Sequence, residues 1–279
     1  MLTRRNVSYL LRPAIALMPV KYGITVLTFH NLSLEQFPWF DSVVEFIVKN
    51  YEVVNPKGFL LNETPRQANR LQILFTFDDG FYSNRLLVEQ SLAKHNLKAL
   101  FFLPEGFIGL SRNEAYDFVL KNFFPTRKHL MGPKYRYHAL SWKDVDWLLM
   151  QGHVVGAHTK QHQMLSTLTA QQQTEEIIES ANRMESLLGI EVSSFAYPFG
   201  SVASVNANAI QFAAKRFQYS FSNVRGSISE SPSHNFLFRQ NLVPGDPLWL
   251  VQAMIEGRID WKYHKERKES MRLILGSGV

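Results

Sequence analysis

Gln72-Ile73-Leu74-Phe75-Thr76-Phe77 is an unbroken, largely apolar run, and Asp78-Asp79-Gly80 follows it without a spacer. A short run of this kind, bounded by turn residues, reads as a strand buried on both faces. Gly80 gives the backbone the freedom for a sharp exit. Two adjacent carboxylates at a strand end point in different directions, so one can ligate a metal while the other acts as a base. Taken alone, the same residues read equally well as an Asp-Asp-Gly turn that closes a strand.

Outward from this stretch, short apolar runs alternate with helix-period segments. Further strands are predicted over 24–29, 99–103, 153–157, 193–196 and 219–221. Helices are predicted over 37–49, 82–94, 169–188, 205–215 and 248–256, and one more runs from a Ser141 cap through Met150. Gly189 and Gly257 end two of them. Strand–helix alternation of this kind argues for a parallel α/β architecture, and the number of units suits a barrel. Residues 107–138 break the rhythm with an aromatic, basic, Pro/Gly-punctuated stretch. They read as a lid-like insertion, whose trimming is expected to change substrate choice more than stability. In such folds reactive groups gather at the carboxyl ends of strands.

The chain has 279 residues, 46% hydrophobic, with 21 Phe, 10 Tyr and 5 Trp. That is enough for one large core, and a single domain over 1–279 is expected, with a motif-bearing part at 24–245 between basic extensions. The absence of cysteine excludes thiol catalysis, thiolate metal sites and disulfides. The net charge is +6, and the basic residues collect at the ends: Arg4, Arg5, Arg12 and Lys21, then Arg258, Lys262, Lys265, Arg267, Lys268 and Arg272. No nucleic-acid-binding module accompanies them. Two readings stay open, solvated basic tails or peripheral contact with an anionic membrane or a lipid-linked substrate. Arg12-Pro13 cuts the first apolar run too short for a secretory signal, and no later window could span a bilayer. A cytoplasmic location, with membrane association at the ends, is the expectation.

Gly156-Ala157-His158-Thr159-Lys160-Gln161-His162 also follows an apolar strand. Two histidines four apart can converge on one divalent ion. With Asp79 arriving from another strand end, they make three protein ligands and an open position, the pattern of a catalytic zinc-like site. A third strand end carries Phe195-Ala196-Tyr197-Pro198-Phe199-Gly200, a rigid turn that presents backbone N–H groups and aromatic rings to the same mouth. His30 follows the first strand and faces that mouth too.

The order and wording of these motifs resemble the polysaccharide deacetylases of carbohydrate esterase family four, the NodB-homology domains. The resemblance runs through Leu27-Thr28-Phe29-His30, Phe75 to Gly80, Lys98 to Phe102, Leu140-Ser141-Trp142, His153 to His162 and Phe195 to Gly200. It implies a distorted (β/α) barrel of about seven parallel strands and a divalent metal, zinc in first place, with cobalt, nickel or manganese as alternatives. It implies removal of N- or O-acetyl groups from a sugar in a polysaccharide or glycan precursor. Carried over by position, Asp78 is the base, Asp79, His158 and His162 are the ligands, and the Phe199 N–H serves the oxyanion. Tyr197, Pro198 and Arg239 are the candidate substrate contacts. Ala196 stands where the family often carries an arginine that orients the base, and Arg239, near a late strand, is the candidate replacement. His30 and His234 are the candidates for the general acid. The competing reading is a catalytically impaired carbohydrate-binding protein on the same fold.

Overall fold

The computed structural model describes residues 12–64, 70–124 and 132–279. Its frame is a curled, fully parallel sheet. Strands β1 (Gly23–Phe29), β2 (Glu52–Val53), β3 (Leu71–Phe77), β4 (Leu100–Leu103), β5 (Val154–Ala157), β6 (Ser194–Ala196), β7 (Tyr219–Phe221) and β8 (Gln240–Asn241) build it. Seven of them run in the order β7-β6-β5-β4-β3-β1-β8, while β2 pairs with the first half of β3 off this path. Leu237 bridges to Phe221 of β7, and Gln240 and Asn241 pair with β1, so one short segment spans the gap between the two sheet edges. The result is a distorted (β/α) barrel.

The six strands expected from apolar runs are present, with ends shifted by at most one residue. Buried parallel strands read as near-continuous hydrophobic stretches, and β3 is buried at all seven positions. β2 and β8 were not legible: each is two residues long and carries no apolar run. The expected helices are present, but the basic stretch at the carboxyl end, read only as an extension, carries a further helix over His264–Ser277. Thr169 caps the helix that ends at Leu188, with Gly189 left-handed at φ 65°, but a widened π turn at Glu175–Glu179 interrupts it.

Residue parity divides the core in two. Ile24, Val26, Leu74, Leu100, Phe102, Ala196 and Phe221 face the inside of the curl. Leu27, Phe29, Ile73, Phe75, Phe77, Phe101 and Phe195 pack outward against helices such as Phe37–Asn50. Alternation along a strand then sends Thr28, Thr76 and Asp78 to the inner side.

The 107–138 insertion is not a loose flap in its described parts. Ser111 caps a helix over Arg112–Phe118 that continues to Phe123, and Phe107, Ile108, Ala115, Val119, Phe123 and Tyr137 are buried in the main core. The remainder of the insertion, 125–131, lies outside the described residues, as do Arg4 and Arg5. No helix among the described residues is long and apolar enough to cross a membrane.

Candidate active site

Strand register levels the reactive residues. Phe29 pairs with Phe77, so His30 and Asp78 emerge side by side, and the Asp78 N–H donates to the Phe29 carbonyl at 2.9 Å. Leu103 pairs with Ala157, which sets His158 at the same level, its N–H donating to the Leu103 carbonyl at 3.1 Å. All of these lie at the carboxyl ends of the strands, where the fold class places chemistry.

Asp79 Oδ1 stands 3.6 Å from His158 Nε2 and 3.4 Å from His162 Nε2. The three residues are 8%, 1% and 5% exposed, and their potential ligand atoms all lie within 4.8 Å of one another. Asp79 Oδ1 is buried without a hydrogen bond. A buried orphan acceptor is costly, so its persistence beside two imidazoles needs a reason. A carbonyl can only accept, so His158 Nδ1 donates to the Ala196 carbonyl at 2.7 Å, which turns Nε2 toward Asp79. Burial, then the neighbouring His158, pushes the His162 ring down to about 3, which keeps it neutral. Burial would raise Asp79, but His158, His30 and His162 outweigh it and hold the carboxyl at about 2. Two imidazole nitrogens and a carboxylate oxygen converging on one point fit a divalent cation.

Asp78 and Arg239 form the second group. Arg239 Nη1 donates to Asp78 Oδ1 at 2.8 Å and Nη2 to Oδ2 at 2.7 Å, a planar bidentate pair with both residues almost wholly buried. Arg239 Nε donates to the Ser222 carbonyl at 2.7 Å, and Nη1 also reaches Thr76 Oγ1 at 3.3 Å. Burial would raise Asp78; Arg239, then His158 and His30, hold it below the ordinary carboxylate range. Ala196 has no side chain for this task, and the guanidinium arrives instead from the segment that closes the sheet. His30 Nε2 lies 3.9 Å from Asp78 Oδ2 with its side chain 36% exposed.

These groups open into a cavity of about 390 Å³. Phe81, Phe123, Phe124 and Tyr137 form an aromatic wall, three of them from the insertion. His162 receives the rings of Phe123 and Phe199 edge-on, at 4.4 and 4.7 Å between centroids. Asn31, Asn223 and Asn241 complete the polar lining. The sequence reading misses all three asparagines, although each lies at or just beyond the end of β1, β7 or β8. Among the described residues, six non-glycine positions have positive φ, and four of them are Asp79, Thr159, His162 and Phe199. Backbone strain of this sort concentrates at functional sites.

Four expected site residues stand elsewhere or are otherwise engaged. His234 is exposed and does not line the cavity; its ring packs by Tyr219, which opens β7, so it sits toward the amino ends of the strands. The loop carrying it returns to that end before the chain rises again to Arg239. Pro198 is buried beneath the turn and is not part of the lining. The Tyr197 ring reaches the cavity wall, but its hydroxyl is committed to the Asn235 carbonyl at 2.9 Å. Arg239 directs both terminal nitrogens at Asp78 rather than at the open space.

Residues 66–221 match the family model for polysaccharide deacetylase. The Bacillus subtilis (strain 168) protein YxkH, which is named as a polysaccharide deacetylase, is 24% identical over 198 residues, 70% of this chain; the chain spans 60% of that protein's length. Among solved structures, the Streptococcus pyogenes deacetylase PplD, determined in complex with acetate, superposes with a TM-score of 0.63 at 21% identity, covering 83% of this chain and 98% of that one. IcaB from Ammonifex degensii gives a TM-score of 0.66 at 19% identity, covering 86% and 99%. At these identities, the two structures speak for the fold.

Proposed function

The chain belongs to the polysaccharide deacetylase family, and we propose that it is a metal-dependent hydrolase removing acetyl groups, N-acetyl foremost, from a sugar of a polysaccharide or glycan precursor. The observation that carries this reading is the convergence of Asp79, His158 and His162 beside an ionised Asp78 clamped by Arg239. Asp79, His158 and His162 would hold the ion. A divalent cation there supplies Lewis-acid polarisation and makes water acidic enough to act near neutral pH.

The rest is the work of this chain's own side chains. Asp78 accepts the proton of the attacking water, and Arg239 keeps its two oxygens ionised and aimed. The left-handed turn at Phe199 offers its backbone N–H to the developing oxyanion, a contribution of about 3 kcal/mol for one such donor. An amine leaving group must be protonated, and His30 is the cavity-lining imidazole not enlisted as a ligand. The aromatic wall excludes water and gives the acetyl methyl and a sugar face an apolar surface.

The test is acetate release from an N-acetylated chitooligosaccharide, with and without a chelator. Release that chelation stops and zinc restores is the expected result. Asp78→Asn should lower turnover by roughly 10²–10⁴-fold while the protein still binds metal, because the base is lost and the ligands remain. Absence of release from N- and O-acetylated glycans by the metal-loaded chain would refute the proposal.

A further inference from the structure

Glu176 lies in the π turn of the helix beneath the histidine loop and is 6% exposed. Its Oε2 accepts the backbone N–H of Lys160 at 3.1 Å and of Gln161 at 2.8 Å, the residues between His158 and His162. The other face of the same loop is held by the chain after β4: the Glu105 N–H donates to the Thr159 carbonyl at 3.0 Å, and the Gly106 N–H to the Lys160 carbonyl at 2.9 Å. A Cβ on Gly106 would stand 2.8 Å from that Lys160 oxygen, so the contact admits no larger residue without a backbone shift. The His162 N–H is taken by Thr159 Oγ1 at 2.9 Å. Five backbone groups of the loop, the Thr159 and Lys160 carbonyls and the Lys160, Gln161 and His162 N–H groups, are thus committed, although Thr159 and His162 both sit in the left-handed region, at φ 65° and 53°. Left-handed backbone at a threonine and a histidine persists only where the surroundings over-determine it. Widened turns inside helices recur at functional sites, and this one sits where the Glu176 carboxylate meets the loop.

We propose that Glu176 is a positioning residue that holds the His158–His162 loop in ligating geometry, acting on the proposed metal site through backbone N–H groups rather than by ligation. The inference rests on the metal reading of that site. His158 is independently fixed by β5 and the Ala196 carbonyl, so loss of the brace falls mainly on His162.

The experiment uses the full chain, stripped of metal and titrated with Co²⁺, with zinc affinity measured by chelator competition and folding by thermal melting. Glu176→Ala and Glu176→Asp remove, or draw back, the acceptor; each should weaken zinc binding at least tenfold and alter the Co²⁺ visible bands. Glu176→Gln keeps an oxygen at the same reach and should restore affinity to within about threefold of the parent. Glu175→Ala, in the same turn but accepting from the Lys160 ammonium at 3.0 Å rather than from the loop backbone among the described residues, should leave both readouts unchanged. If Glu176→Ala fails to fold, the Asp variant decides. Parental zinc affinity and Co²⁺ spectrum in the folded Asp or Ala variant would overturn the brace while leaving the metal site standing. A parent chain that binds no Co²⁺ would overturn the metal reading, and the brace with it.

Discussion

Arg239 is a fully buried cation whose fork is committed to the two oxygens of Asp78. Such a pair is a poor net stabiliser, but removing one partner strands the other's charge in a dry site at a cost of about 3–5 kcal/mol. Arg239→Met should therefore destabilise strongly and let burial raise the Asp78 carboxyl, moving the acidic limb of kcat/KM to higher pH. The double variant Asp78→Asn/Arg239→Met should recover much of the lost stability while staying inactive; a strictly additive cycle by chemical denaturation would contradict the coupling. Asp78, Asp79, His158 and His162 were legible because each follows a recognisable strand in a contiguous motif. The missing arginine could be anticipated from Ala196, but its origin 161 residues from Asp78 depends on how the sheet closes. His234 misled for the same reason: its place in the sequence suits the site, while its loop belongs to the other end of the strands.

Elements explain the remaining difference between sequence and site. Strand positions and parity follow from apolar runs alone, and they level His30, Asp78 and His158 at one end of the sheet. The aromatic wall does not follow, because packing rather than periodicity places Phe123, Phe124 and Tyr137. The capping box from Ser111 to Glu114 was the signal for the insertion's helix, and it went unread. Phe123 is 9% exposed and touches Phe81, Phe107, Phe118 and His162. The expectation that trimming this region would change substrate choice more than stability meets a wall that is part of the core, so trimming should cost both. Phe123→Ala should cost about 3 kcal/mol by denaturant unfolding and raise KM together. Parental stability in that variant would return the segment to the status of a detachable flap.

Across the whole molecule, charge is placed to be used locally. Three of the basic residues near the chain ends are not simply solvated: Lys21 and Arg267 both pair with Glu230, at 2.7 and 2.6 Å, and Arg258 pairs with Glu256. Acid sensitivity is instead set inside. His153 accepts the Ala99 N–H on Nδ1 at 3.0 Å, and burial, then Lys98, pushes it down to about 4; His162 is pushed to about 3. An unfolded chain would protonate both near 6.5. Between about 4 and 6.5 the unfolded state thus holds more protons at these rings, and stability must fall as pH falls, by about 1.4 kcal/mol per pH unit for each ring. Asp78 and Asp79 work lower: their depressed values contribute above the ordinary carboxylate range and are lost only below it. Glu176, Asp260 and Glu266, raised by burial, oppose the histidine slope, so the parent's net slope mixes both signs. His153→Gln isolates one ring, since glutamine can still accept the Ala99 N–H but cannot titrate. In the metal-free protein, unfolding free energies at pH 6 and pH 5 should show a loss smaller by about 1.4 kcal/mol in His153→Gln than in the parent. Equal losses in the two proteins would mean that His153 is protonated in the folded state, contrary to its role as the Ala99 acceptor.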